Sequence, residues 1–387
     1  MSNNIAFLFG AGVSQRSLIG TEELTSKIFE ATNIVHLSSR YLEMENPKRF
    51  DSLDIRDYVP KVKELFNIIQ NSVHDHYLYK KRGLNYEDMY YLINALYDDE
   101  SGEYVNPIIS KYCDDFRTQY RDLFKTKYPL IGEISLMDLT REALNYIQDI
   151  VIMCLDKPNA SIEHLKFLAE VDSAKSISKI NIFTLNHDVL IENFFKKIDA
   201  FSDGFHSDGY GHRIWSPENF NKRISLLKLH GSINWYRILG KDYYEDRIGI
   251  YEQPQRNGDR PLMLIGSFNK LHAYSRSINF DLQCLFAKQL SESDDLIISG
   301  YSFGDQGINS RIINWVLASR NRRIFLIHKN PDELIKNARP AIQTNFSFLN
   351  KNGNIFYIKE YIDENTTWIR IKSFINNWNY ERKATDK

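Results

Sequence analysis

The chain opens on a strand that has to turn at once. Ile5-Ala6-Phe7-Leu8-Phe9 is an unbroken apolar run, and such a run, bounded by turn residues, reads as a strand covered on both faces. Gly10-Ala11-Gly12-Val13-Ser14 follows with no spacer, and a helical period begins near Thr21, with Leu24, Ile28 and Phe29 on one face. Strand, glycine turn, helix is how a nucleotide-binding fold opens, because glycine lets the backbone approach a phosphate and the next amides point at it. Taken alone, glycines after a strand more often form just a tight turn.

The rest of the chain divides by its periodicity. Residues 22–175 read as almost wholly helical. Pro60 to Lys80 places Val62, Leu65, Phe66, Ile69 and Val73 at helical spacing, Asn85 caps a helix through Leu96, Pro107 opens another, and Ser135 to Leu155 is the longest. After Ser173 the pattern changes to short apolar runs: Lys179–Leu185, Ser225–Leu229, Pro261–Ile265, Asp295–Ser299, Arg323–Ile327 and Asn354–Ile358. Helical stretches lie between several of them, and a last helix is expected over Thr366–Trp378. This is an α/β layout, a Rossmann-like parallel sheet with a large helical insertion or second helical domain. The expected division is 1–21 with 176–387 for the sheet domain, and 22–175 for the helical insertion.

Composition narrows the class. The 387 residues carry 49 Lys plus Arg and 50 Asp plus Glu, a net charge of −1, so no general polyanion-binding surface is indicated and nucleic acid is not an expected partner. The three cysteines, Cys113, Cys154 and Cys284, form no CxxC pair. That excludes a local thiolate zinc ribbon, argues against a disulfide framework, and makes a reducing cytoplasmic setting the expectation. No apolar stretch reaches the ~20 residues that span a bilayer.

Three further stretches carry chemistry, each just past a strand. Thr184-Leu185-Asn186-His187-Asp188 sets an amide, an imidazole and a carboxylate where open α/β sheets bind ligands; a capped turn into the next helix is the structural alternative. Leu229-His230-Gly231-Ser232 offers a histidine that can exchange a proton near neutral pH. Ile298-Ser299-Gly300-Tyr301-Ser302-Phe303-Gly304-Asp305 is a third strand running into a glycine turn. Asn186 and His230 are both expected at a solvent-reachable rim.

GAGVS, TLNHD, LHGS and ISGYSFGD, in this order, resemble the sirtuin family, and most of all the sirtuin-like NAD hydrolases of bacterial anti-phage defence. The likeness covers about the first 20 residues and 180–330, and Asn85-Tyr86-Glu87-Asp88 looks like a recurring feature of the defence branch. The resemblance implies roles. Gly10, Ala11, Gly12 and Ser14 would cradle the pyrophosphate of NAD, which serves as substrate. Asn186 would hold the nicotinamide-side ribose, Asp188 the carboxamide, and His230 would be the general base. Gly300 and Ser302 would lie against the adenosine side, as would His328, whose residue type departs from the usual one. His187 would matter less.

The departures from that family bear on the reaction. The cysteines cannot supply the deacylases' four-cysteine zinc ribbon, so no metal is expected. Leu18-Ile19-Gly20-Thr21-Glu22 stands where those enzymes carry Pro-Asp-Phe-Arg. Both put peptide deacylation in doubt and leave nicotinamide cleavage intact. Protein deacylation, ADP-ribosyl transfer and ligand sensing without turnover stay open beside hydrolysis of NAD. The chain has no GxxxxGK[ST] loop, so a motor would be another chain. A homo-oligomer is expected, and the family implies a gate such as a HerA-type hexameric ATPase partner.

Overall fold

The computed structural model describes residues 4–37, 39–45, 58–79, 82–103, 105–125, 133–207, 209, 213–239, 246–251, 259–266, 270, 274 and 277–385. The strands are β1 (Asn4–Phe9), β2 (Ile34–Leu37), β3 (Arg40–Glu43), β4 (Lys179–Thr184), β5 (Phe201–Ser202), β6 (Phe205–Ser207), β7 (Arg213–Trp215), β8 (Ile224–Lys228), β9 (Trp235–Leu239), β10 (Asp246–Ile250), β11 (Asp295–Ser299), β12 (Arg323–Ile327) and β13 (Ile355–Ile358). Seven of them form one sheet, in the order β13-β12-β11-β1-β4-β8-β5, and every pairing in it is parallel. Leaving aside the two-residue edge strand β5, the order of appearance across the sheet is 6-5-4-1-2-3, the doubly wound Rossmann order. In such a sheet the topological switch lies between the first and fourth strands, here β1 and β11. The fold is thus the expected α/β one.

Strand alternation builds a core on each face of the sheet. Ile5, Phe7 and Phe9 pack with Ile180, Ile182, Leu226 and Phe325 on one face, against Phe167, Leu190 and Trp368. Ala6 and Leu8 pack with Phe183, Leu227, Leu296 and Ile298 on the other, against Leu282, Phe286, Ile312 and Phe346. Burying each large side chain contributes ~1.5–3 kcal/mol, so a continuous apolar strand has its place only in the middle of such a sandwich.

The helices that follow the opening unit are α1 (Ala11–Ser14), α2 (Thr21–Glu30), α3 (Tyr58–Ser72), α4 (His74–Tyr79), α5 (Tyr86–Glu100), α6 (Pro107–Gln119), α7 (Arg121–Phe124), α8 (Leu136–Leu155), α9 (Phe167–Ser173) and α10 (Leu190–Phe195). Asn85 and Ser135 close capping boxes with Asp88 and Asp138, which fixes the starts of α5 and α8. Helices α2, α3 and α5 to α8 share their own core around Leu65, Met89, Ile93, Phe116, Leu139 and Ile147, and Ile233, Met263 and Ile265 from beside the sheet join it.

Several details differ from the sequence reading. A second sheet, antiparallel and in the order β6-β7-β10-β9, was not expected. The helical region contains a hairpin, β2 paired antiparallel with β3, because Ile34 and Tyr41 are buried in the core that α3 and α8 share. Pro261–Ile265 is no strand; only Met263 makes a bridge, to Gly231. The later helices are α11 (Ser277–Ser291), α12 (Gln306–Leu317), α13 (Pro331–Asn337), α14 (Pro340–Lys351) and α15 (Trp368–Thr385), the last running beyond Trp378. No helix among the described residues is long and apolar enough to cross a membrane.

Candidate active site

The five strands β12, β11, β1, β4 and β8 are neighbours, and each delivers one motif at its C-terminal end. In that order the residues just past them are His328, Gly300, Gly10, Asn186 and His230. At ~4.8 Å per strand the row is ~19 Å long, and it straddles the topological switch.

At the switch, two glycine turns press backbone on backbone. The Gly10 amide donates to the Ser299 carbonyl and the Gly12 amide to the Gly300 carbonyl, both at 3.0 Å. A Cβ on Gly10 would lie 2.5 Å from the Gly300 oxygen, and one on Gly300, whose φ is +67°, would lie 2.5 Å from the Val13 nitrogen. The amides of Gly10 and Gly12 are therefore already given to protein carbonyls. The glycines first serve loop packing, and what the turn offers outward is the exposed face of Ala11 and Gly12.

Next to that turn the β4 loop builds a polar chain. The Ser14 hydroxyl donates to Asp188 Oδ2 at 2.6 Å. Asn186 Nδ2 donates to Ser14 Oγ at 2.8 Å and to the Gly10 carbonyl at 3.1 Å. Asp188 Oδ1 accepts from the Leu190 amide at 3.1 Å, so this carboxylate also starts α10. Lys228, fully buried, holds the loop from below: its ammonium donates to Glu192 at 2.7 Å and to the carbonyls of His187 and Asp188. Asn186 Oδ1 and His187 Nδ1 are buried and have no protein partner.

His230 sits in a second network. Its Nε2 is 3.0 Å from Asp305 Oδ2 and 2.8 Å from the Tyr274 hydroxyl, and that hydroxyl donates to the same carboxylate oxygen at 2.5 Å. Asp305 Oδ1 accepts from the Ile308 amide at 3.1 Å and so caps α12. Burial pushes Asp305 upward, but the hydrogen bond and charge of His230, then Lys270 and the Tyr274 hydroxyl, outweigh it and hold the carboxyl well below its usual range. Burial and then Lys270 lower His230 below the ordinary imidazole value, against the pull of Asp305. Lys270, also buried, reaches Glu87 of α5 at 3.2 Å, which ties this corner to the helical block.

A rim position for Asn186 and His230 does not hold: they are 9% and 4% exposed. Asn186 is turned inward onto Ser14 and Gly10, and the segment 259–266 lies over the β8 loop that carries His230. Leu264 donates its amide to the His230 carbonyl at 2.8 Å, and Ser232 donates to the Leu262 carbonyl at 3.0 Å. Gly231, at φ +77°, makes this approach feasible, since a Cβ there would come within 2.0 Å of the Leu262 oxygen. The other end of the segment is clamped by Asp149 of α8, which accepts from Arg260 at 2.9 Å, Arg40 at 2.8 Å and the Tyr41 amide at 2.9 Å.

The remaining predicted residues stay apart from this cluster. Ser302 is exposed. His328 is half-buried at the end of β12, edge-on to Tyr361, with Nδ1 accepting from the Asn330 amide. The cysteines lie on three different helices, α6, α8 and α11. Among the described residues one group could bring three metal ligands together, Asp99, Glu100 and Cys113. There Asp99 already accepts from Asn106 and Ser110, Glu100 pairs with Arg117, and burial pushes the thiol up to about 12.

Comparison with known families falls on the same strands. Residues 180–354 match the SIR2-like domain family. No curated protein matches the chain. Solved structures that resemble it include a Sir2 enzyme at 11% identity and TM-score 0.36, covering 90% of this chain and 94% of that one. A variant of a Sir2 homologue in complex with ADP-ribose is 14% identical, with coverages of 91% and 92% and TM-score 0.36. A Sir2 homologue in an NAD complex is 13% identical, with coverages of 91% and 90% and TM-score 0.36. At these scores the overlays are loose and carry no chemistry with them. The matched stretch of the SIR2-like domain begins in β4 and ends just before β13, so β1 and the GAGVS turn lie outside it, although they complete the same sheet edge.

Sequence reading passed over several residues of this site. Asp305 was visible only as the end of a strand-to-helix turn, a signal that says nothing of its second oxygen. Lys228 read as one more strand residue, and Lys270 and Tyr274 lie in a stretch with no period at all. His164, beside Ser17 and with a buried, unpartnered Nε2, also faces the charge of Asp188; nothing in its local sequence marks it.

Proposed function

We propose that the chain is an NAD hydrolase, converting NAD and water to ADP-ribose and nicotinamide. The observation that carries this is the buried Asn186 carboxamide. One end of it is fixed on Ser14 and Gly10, and the other end, Oδ1, has no partner. A buried acceptor left unpaired costs ~1–3 kcal/mol, and a ribose hydroxyl donating to Oδ1 offsets that cost. On this reading Gly10, Ala11, Gly12 and Ser14 lie against the pyrophosphate, Asp188 takes the carboxamide, and Gly300, Ser302 and His328 lie along the adenosine side.

The reaction breaks the bond between ribose C1 and the nicotinamide nitrogen, which leaves with the bonding pair. Asn186 fixes the ribose while positive charge develops on it. Water adds to C1 and loses a proton to His230, a contribution of ~10²–10⁴-fold. Unchecked, such an activity drains its own cell. We therefore assign it to anti-phage defence in the cytoplasm, held in check by homo-oligomer assembly or a HerA-type ATPase partner, with residues 22–175 as the domain through which that control arrives.

The test is purified protein with NAD alone, read as nicotinamide release. Wild type releases nicotinamide without any peptide, while Asn186→Ala and His230→Ala lose at least ~10²-fold. Release that depends on a protein acceptor, or none at all, overturns the reading.

A further inference from the structure

The contacts of His230 leave its ring little freedom. Its Nε2 faces a carboxylate oxygen at 3.0 Å and a phenol oxygen at 2.8 Å. The phenol has one proton, and at 2.5 Å it donates it to Asp305. If Nε2 carried a lone pair, that pair would face an ionised carboxylate with no proton between them. The network is satisfied only when Nε2 carries the hydrogen and shares it between Asp305 and Tyr274. The neutral ring then has its basic lone pair on Nδ1.

Asp305 itself cannot turn away. Its other oxygen caps α12 through the Ile308 amide, and the helix begins at the next residue, Gln306. Gly307, one residue further on, has no side chain where a Cβ would strike the Tyr274 ring at 2.7 Å, so the helix start is also shaped to admit the tyrosine. Helix α12, anchored in the sheet core through Ile308 and Ile312, thus holds out a carboxylate at a fixed place.

We propose that Asp305 is the positioning residue of this site: it fixes His230 as the Nε2–H tautomer, so that Nδ1 is the nitrogen that accepts the proton. This rests on the hydrolase reading for its consequence in the reaction, and on the geometry alone for the tautomer. A carboxylate that orients an imidazole and sets its tautomer leaves the base in place but useless when the carboxylate becomes an amide.

Asp305→Asn is the deciding variant. Asparagine caps a helix as well as aspartate does, so its oxygen stays on Ile308 and its NH₂ turns to His230. A donor now faces Nε2, and the ring proton moves to Nδ1. Two readouts follow. Nitrogen-15 NMR of histidine-labelled protein shows Nε2 protonated in the wild type and Nδ1 protonated in the variant. The kcat for nicotinamide release falls ~10²–10⁴-fold while KM for NAD moves less than ~threefold. Tyr274→Phe keeps the carboxylate on Nε2, keeps the tautomer, and loses no more than ~tenfold. An unchanged tautomer in Asp305→Asn overturns the proposal, and so does a changed tautomer with undiminished kcat. If the wild type releases no nicotinamide, the hydrolase reading fails on its own, and the NMR result still decides whether Asp305 sets the ring.

Discussion

The two ends of the site are built by opposite means. At the topological switch, Gly10, Gly12 and Gly300 meet through backbone atoms alone, and every part stands on the sheet. At His230 the meeting is made by side chains, Asp305, Tyr274 and Lys270, under a segment clamped by the helical block through Asp149 and Arg260. Backbone contacts admit no repacking, so the first end is rigid and intolerant. Side-chain contacts can be broken one at a time by substitution, so the second end, although held in place, is the adjustable one and is reached from outside the sheet through Lys270 and Arg260. The site thus pairs a floor of backbone contacts with a wall of side chains.

A large effect should come from breaking the rigid end. In Gly300→Ala the methyl is driven to 2.5 Å from the Val13 nitrogen and 2.9 Å from the Gly10 oxygen at a positive φ. Overpacking costs ~1–3 kcal/mol and the left-handed backbone ~1–2 more, so a loss of ~2–5 kcal/mol is expected in denaturant unfolding. Gly307→Ala is the matched change at the other end. Its methyl meets the far edge of the Tyr274 ring at 2.7 Å and touches Asp305 Oδ1 at 3.4 Å, and alanine favours the helix by ~1 kcal/mol. Stability should change by less than ~1 kcal/mol while nicotinamide release falls, because the displaced ring leaves His230 and Asp305. Equal stability losses in the two variants would erase the distinction between the two ends.

That contrast also explains what could be read from the sequence. Continuous apolar runs followed at once by glycine or by an Asn-His-Asp cluster are local signals, and they placed β1, β4, β8, β11 and β12 and the residues at their ends. Alternation fixed which face each residue meets. The burial of His230 was not legible, because the cover comes from 259–266, whose seat depends on Gly231 and on an aspartate in α8, more than a hundred residues away in the chain. The hairpin β2–β3 was missed for the same reason, since its buried Tyr41 takes an amide bond to that aspartate. Asp305 was legible only as the end of a strand-to-helix turn and not as a partner of His230, since one oxygen answers to local sequence and the other only to the fold.

The side-chain wall is tested at its clamp. Asp149→Ala removes the acceptor shared by Arg40, Arg260 and the Tyr41 amide, all at a side chain 3% exposed. Breaking a buried ion pair from one side costs ~3–5 kcal/mol. The loss should appear in unfolding of the helical block, and release of 259–266 should raise proteolysis near Arg260. Nicotinamide release should change although Asp149 does not belong to the cluster around His230. Full activity with unchanged cleavage would show that the segment is held by its other contacts, among them those to His230, Ser232 and Trp235.

The smallest effect is expected at His187, which lies between the two ends. Its carbonyl accepts from Ile233 at 3.0 Å, Ser232 at 3.2 Å and Lys228 at 3.4 Å, so the main chain supports the loop whatever the side chain is. The ring is buried, and Nδ1 has no partner. Burial first, then the neighbouring His230, Lys270 and Lys228, push it well below the ordinary 6.5, against a hydrogen bond with Gly231. A histidine lowered on folding binds its proton more readily in the unfolded chain. Its contribution to stability is therefore present above pH ~6.5 and is lost as pH falls below that, at ~1.4 kcal/mol per pH unit for one proton. His230 and His164 are lowered in the same sense, so the protein should weaken steeply below that pH. His187→Leu removes one of the three protons and an unpaired polar atom, with a side chain of similar bulk. Stability at pH 7.5 should change by no more than ~1.5 kcal/mol, nicotinamide release should persist, and the acid slope between pH 6.5 and 5 should fall by about one proton. A slope unchanged in the variant would mean that the ring is already charged in the fold. The positive charge beside His230 would then come from the loop itself, and the division between a fixed floor and an adjustable wall would have to be redrawn through His187.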